Sequence, residues 1–140
     1  DEYLSGRTDA LTFQQKKGLK EFLKVGCTQC HTGVAVGGGS LQKFAVYGNY
    51  WNYTKGDSAD KGRMKETKQA TDEFMFKTAS LRNVAETYPY FHDGSVADLS
   101  EAVRIMGKAQ LNKDLRDEQV KDITAFLQAL TGKVPTSALD

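Results

Sequence analysis

The sequence predicts an all-α fold with a few helices and unusually long loops. Three observations carry this. Amphipathic stretches with helical spacing and capping signals begin at Thr12, Asp98 and Asp117. The chain from residue 32 to 75 is rich in Gly, Tyr, Asn and Lys and has little periodicity. Both cysteines and one of the two histidines fall in a single stretch, GCTQCHTG, residues 26 to 33.

The first helix opens on T-x-x-Q (Thr12 to Gln15), a capping box, and carries Leu19, Phe22 and Leu23 at helical spacing up to Gly26. It delivers the chain into Cys27. Residues 32 to 75 read as loops with at most short structured pieces. So long an irregular stretch in one compact domain needs something to wrap around, and a large planar cofactor would supply that surface. A second box, D-x-x-E (Asp98 to Glu101), opens a short helix that turns Leu99, Ala102, Val103 and Met106 to one side and is expected to end at Gly107. The last helix starts near Asp117 and Glu118, acidic residues suited to the positive end of its dipole, and runs Val120, Ile123, Phe126, Leu127, Leu130 before Gly132.

At 140 residues the chain is expected to be one domain, 1–140, and long enough for one core. A formal charge of +1 gives no basic field of the kind nucleic-acid binding needs, and no apolar run is long enough to span a bilayer. The local cationic candidate is Lys16, Lys17, Lys20 and Lys24, opposed only by Glu21, which reads first as a solvated helix face. The opening DEYLSGRTDA lacks a secretory pattern, so the expectation is that a signal has been removed or that the chain is part of something longer.

Three chemistries could use GCTQCHTG. A redox dithiol would sit near a βαβ pattern, which is missing, and a structural zinc site would want four close ligands where three are offered. In C-x-x-C-H the two thiols add to the vinyl groups of haem, and the adjacent histidine reaches the iron. Cys27 and Cys30 are therefore read as thioether anchors of one covalent haem c, and His31 as the proximal ligand.

The ligand on the other face decides between electron carrier and peroxide chemistry. The candidates are Met64, Met75, Met106 and His92. Met64 lies in the charged stretch DKGRMKETK, and Met75, between Phe74 and Phe76, reads as core packing. Met106, near the end of a short helix, is favoured, against the plainer reading that it is one more core residue. His92, in PYFHDG, is expected to hydrogen-bond locally or to a haem propionate, with ligation the minority case. Arg82, in SLRNV, suits a propionate because its forked donors match a carboxylate; a surface ion pair is the competing reading. The Gly37–Gly39 run reads as a flexible turn without the context of a phosphate cradle. Phe44, Tyr47, Tyr50, Trp51 and Tyr53 are expected to wall an apolar cofactor pocket.

CTQCHTGVAVGG, then DKGR (Asp60 to Arg63), then FKTASLRNVAETYPYFHDGSVADLSEAVRIMGKAQL (Phe76 to Leu111) resemble the carboxy-terminal haem domain of bacterial dihaem cytochrome c peroxidases. The resemblance runs over nearly the whole chain. It implies a cytochrome c fold in which the first and last helices cross, with Met106 as second axial ligand. It also implies that the matching domain holds the high-potential haem, takes electrons from a small periplasmic donor protein and passes them to a second, low-potential haem that reduces hydrogen peroxide. The family's interdomain calcium, bound partly through backbone carbonyls, maps onto Thr87 and Pro89.

The chain departs from that family in holding one C-x-x-C-H where the family has two. Two readings follow: the electron-accepting domain of a dihaem peroxidase, which its beginning where the family's second domain begins favours, or a stand-alone monohaem periplasmic carrier without peroxidase activity. A third, in which Met106 detaches and this haem turns over peroxide itself, ranks below both, since a thioether-capped iron has no vacant site.

Overall fold

A computed structural model describes residues 1–132. Among them are four α-helices, α1 (Phe13–Val25), α2 (Met64–Thr67), α3 (Leu99–Leu111) and α4 (Asp117–Gln128), and two strands, β1 (Leu41–Lys43) and β2 (Met75–Lys77). None of the helices is long and apolar enough to cross a membrane.

Helix α1 starts as its sequence predicts. The Thr12 hydroxyl accepts from the Gln15 N–H while the Gln15 side chain accepts from the Thr12 N–H, and Gly26, in the left-handed region at φ 103°, ends the helix. Helices α1 and α4 cross in close contact. A β-carbon on Gly18 would lie 1.9 Å from the Asp122 carbonyl oxygen and 2.8 Å from the Phe126 Cβ, so only glycine admits this approach. Phe22 and Phe126 meet across the crossing with ring centroids 5.3 Å apart. Lys17 bridges the same interface, reaching Glu118 at 2.9 Å and the buried Asp122 at 3.1 Å.

The expected end of the second amphipathic helix at Gly107 is corrected: α3 continues to Leu111 and stops at Asn112, whose φ of 51° puts it in the left-handed region. Gly107 serves packing instead, because a β-carbon there would meet Leu115 Cδ1 at 2.8 Å. The all-α expectation is corrected in one respect. β1 and β2 pair antiparallel, Leu41 opposite Lys77, so the fold is mostly helical with a two-stranded sheet. Three-residue strands 31 residues apart carry no periodic signal, which is why the sequence hides them.

Two cores result. Phe22, Val25, Leu81, Val84, Val103, Val120, Ile123 and Phe126 fill the first, between α1, α3 and α4. Phe44, Ala45, Tyr50, Ile105 and Ala109 form the second, with Trp51, Phe74, Phe76, Phe91 and Met106 packed against it. Helix α3 lies between the two, sending Val103 to one and Ile105, Met106 and Ala109 to the other.

Candidate haem-binding site

The C-x-x-C-H segment is a single tight turn. After Gly26 the chain enters a 3-10 turn at Cys27–Gln29, and the Cys27 carbonyl accepts from the N–H groups of Cys30 at 3.3 Å and His31 at 3.0 Å. Both thiols are free of disulfide. Burial pushes the Cys27 thiol up to about 11. Lys113 Nζ donates to the Val25 carbonyl at 2.7 Å and so caps the helix that carries this turn.

His31 is held from a distance in sequence. Its Nδ1 lies 3.2 Å from the Ala79 carbonyl oxygen, which can only accept, so Nδ1 carries the proton and Nε2 keeps its lone pair. Burial holds the imidazole below its ordinary value, with the Val36 and Ala79 carbonyls pulling the other way. A half-buried neutral imidazole with Nε2 unprotonated is the form that binds a metal.

The Ala79 carbonyl is itself fixed by a clamp between residues 34–40 and 78–82. The Gly38 N–H donates to the Thr78 carbonyl at 2.9 Å, and the Leu81 N–H donates to the Val36 carbonyl at 3.2 Å. The Thr78 N–H donates to the Ser40 carbonyl at 2.8 Å. Ser80 Oγ donates to the Ala35 carbonyl at 2.8 Å, and Arg82 Nε donates to the Val34 carbonyl. None of these backbone roles leaves a sequence signal beyond the glycines at 37–39.

Met106 is half-buried on α3 against the aromatic core. Tyr50, almost fully buried, is the hub of that core, stacked on Phe44 at 5.7 Å and edge-on to Trp51 at 5.2 Å and Phe74 at 5.6 Å. Tyr53 packs against the same group, and Tyr47 stays on the surface, accepting the Tyr53 hydroxyl at its carbonyl. His92 belongs to this core as well: its ring stacks on Phe76 at 4.0 Å, and Nε2 is 3.8 Å from Asp60 Oδ2. Met75 sits in β2 and Met64 at the start of α2.

Arg82 forks onto the Asp1 carboxylate at 2.7 and 3.0 Å. Thr87 and Pro89 are exposed in the loop before α3. A cavity of about 610 Å3 opens beside Cys30, walled by Val34, Gly37–Gly39, Lys77 and Ser80. That volume falls within the ~300–1,000 Å3 of cofactor sites, although neither His31 nor Met106 lines it.

No family model matches the chain. Individual proteins do. The chain is 48% identical over 140 residues to the cytochrome c551 peroxidase of Pseudomonas aeruginosa and 45% identical over 135 residues to that of Nitrosomonas europaea, with 96% of this chain covered in each case. The cytochrome c peroxidase Ccp of Escherichia coli is 43% identical over 132 residues. The chain belongs to the cytochrome c peroxidase family. It spans 39% of the length of the first two relatives and 28% of the third. Among solved structures, a MauG-like protein associated with microbial copper homeostasis superposes with a TM-score of 0.74 at 25% identity, covering 93% of this chain and 47% of that one.

Kinship with cytochrome c peroxidases implies haem c, and the residues present fit it. Two unpaired thiols and an imidazole share one turn, and the imidazole's Nδ1 is already engaged by a carbonyl. This donor set is the one that covalent haem attachment requires.

Proposed function

We propose that this chain is the electron-accepting, high-potential haem c domain of a bacterial cytochrome c peroxidase, working with a second haem domain where hydrogen peroxide is reduced to water. The observation that carries the reading is the His31 Nδ1 hydrogen bond to Ala79, because it leaves Nε2 free on the turn that presents Cys27 and Cys30. When bound, the haem would supply one-electron Fe(III)/Fe(II) chemistry.

Cys27 and Cys30, both free thiols, would anchor the macrocycle through thioethers. His31 and Met106, the latter backed by the aromatic core, would hold the iron between them and would leave no position for peroxide. Arg82 is the propionate partner in this reading, exchanging its Asp1 carboxylate for that of the cofactor. The carbonyls of Thr87 and Pro89 would contribute to a calcium site completed by the second domain. The electron donor is a small periplasmic protein, and the location is periplasmic because covalent haem attachment takes place outside the cytoplasm.

The test is the near-infrared spectrum of the oxidised protein followed by titration with peroxide. A methionine–iron charge-transfer band with no peroxide consumption is expected. A high-spin spectrum with turnover would overturn the closed electron-transfer site. A parent reading frame with no second C-x-x-C-H would instead make the chain a stand-alone carrier.

A further inference from the structure

Gly37 stands where the His31 ring and the Ala79 carbonyl come together. A β-carbon at this position would lie 2.1 Å from the Ala79 oxygen, 3.0 Å from its carbonyl carbon and 3.1 Å from His31 Nδ1. The first two are backbone atoms, held by the clamp that ties residues 34–40 to 78–82, so they cannot swing aside as a side chain could. Gly37 is buried, and its own N–H donates to the Thr32 carbonyl at 2.8 Å, which fixes it in turn to the residue after His31.

We propose that Gly37 is a positioning residue for the iron's proximal ligand: its missing side chain lets the Ala79 carbonyl reach His31 Nδ1, and that hydrogen bond sets the reduction potential. The proposal rests on the haem reading above. A carbonyl accepting from Nδ1–H raises the basicity of the ring, and a more basic ligand favours the ferric state. The bond therefore holds the potential down. A methyl group at residue 37 forces the carbonyl away, and beyond 3.5 Å the bond no longer counts as one. The ring then donates less to the iron, and the potential rises.

Glycine at this position also adopts φ 127°, where a side chain is strained whatever the space, so a control must carry strain without contact. Gly33 supplies it. It lies in the same loop at φ 74°, and a β-carbon there meets nothing within 4 Å.

The experiment measures midpoint potential and the His31 Nδ1–H resonance by NMR in the haem-loaded protein, in Gly37→Ala and in Gly33→Ala. Expected are a slowly exchanging Nδ1–H in the parent, a higher potential with faster Nδ1–H exchange in Gly37→Ala, and parental values in Gly33→Ala. Ser80→Ala removes the clamp's bond to the Ala35 carbonyl without adding an atom, and it is expected to raise the potential by a smaller amount. That variant and the parent's exchange rate decide the matter if Gly37→Ala fails to fold. An unchanged potential in Gly37→Ala, an equal rise in Gly33→Ala or a freely exchanging parental Nδ1–H overturns the proposal while leaving the haem reading intact. A parent that takes up no covalent haem overturns both.

Discussion

Gly18 faces the backbone of Asp122 so closely that a β-carbon would lie 1.9 Å from its carbonyl oxygen. Helix propensity alone makes alanine better than glycine by about 1 kcal/mol in a helix interior. Here the backbone of α4 occupies the space, and overpacking at about 1–3 kcal/mol or more wins. Gly18→Ala is expected to lower the urea midpoint of unfolding. In Gly107→Ala the two closest contacts, at 2.8 Å, are to Leu115 side-chain atoms, which can move, and the nearest backbone atom, the Lys113 carbonyl oxygen, is 3.2 Å away, so the loss is expected to be smaller.

Asp98 caps α3, accepting from the Glu101 N–H at 2.8 Å. The Ser100 hydroxyl, with the Glu101 N–H behind it, holds its carboxyl below the usual value. For a depressed carboxylate the stabilisation is complete above its ordinary pKa and is lost as pH falls through the lower, folded value. Asp98→Ala is expected to cost about 1 kcal/mol at neutral pH, and the difference from the parent should shrink in acid below the ordinary carboxylate range. Denaturant titrations at neutral and acid pH would show whether the gap closes.

Met106→Ala is expected to abolish the methionine–iron band and lower the potential, whereas Met64→Ala and Met75→Ala keep both. Survival of the band in Met106→Ala would pass the ligand role to one of the other two. Optical spectra of the three variants suffice.

Of the four lysines of α1, Lys17 is committed to Glu118 and Asp122, and Lys24 lies 3.8 Å from Glu21. Lys16 and Lys20 make no ion pair among the described residues; Lys16 lies 5.8 Å from the Tyr3 ring centroid. If this face docks an acidic donor protein, reduction should slow as salt shortens the screening length to ~10 Å at 0.1 M. Lys20→Gln should flatten that dependence. Rates indifferent to ionic strength in the parent would remove the docking idea.

Helices α1, α3 and α4 were legible because their signals are local: capping boxes at Thr12 and Asp98, acidic residues at the start of α4, and apolar side chains at helical spacing; the four-residue α2, with no side-chain cap, gave no such signal. Gly107 misled because glycine marks both helix ends and close packing, and only the fold tells which. The C-x-x-C-H turn was legible for the same local reason. What holds His31 was not, since the Ala79 acceptor is a backbone atom 48 residues away and any residue type supplies a carbonyl. His92 and Tyr50 show the intermediate case. Aromatic clustering in the sequence announced an apolar wall, but Phe74, Phe76 and Phe91 join it from elsewhere in the chain.

The pairing of β1 with β2 has a consequence for how this chain can vary. Leu41 to Phe44 is bonded to Phe74 to Lys77, so the segment between them leaves and returns at one doorway. Lengthening a flexible loop closed in this way costs only about 0.6 kcal/mol per doubling. The excursion also carries its own anchor in Tyr50 and Trp51. Its tip can therefore be trimmed, extended or exchanged while the frame around Cys27, Cys30 and His31 stays in register, which makes it the place where a new surface could be grafted onto an unchanged C-x-x-C-H turn.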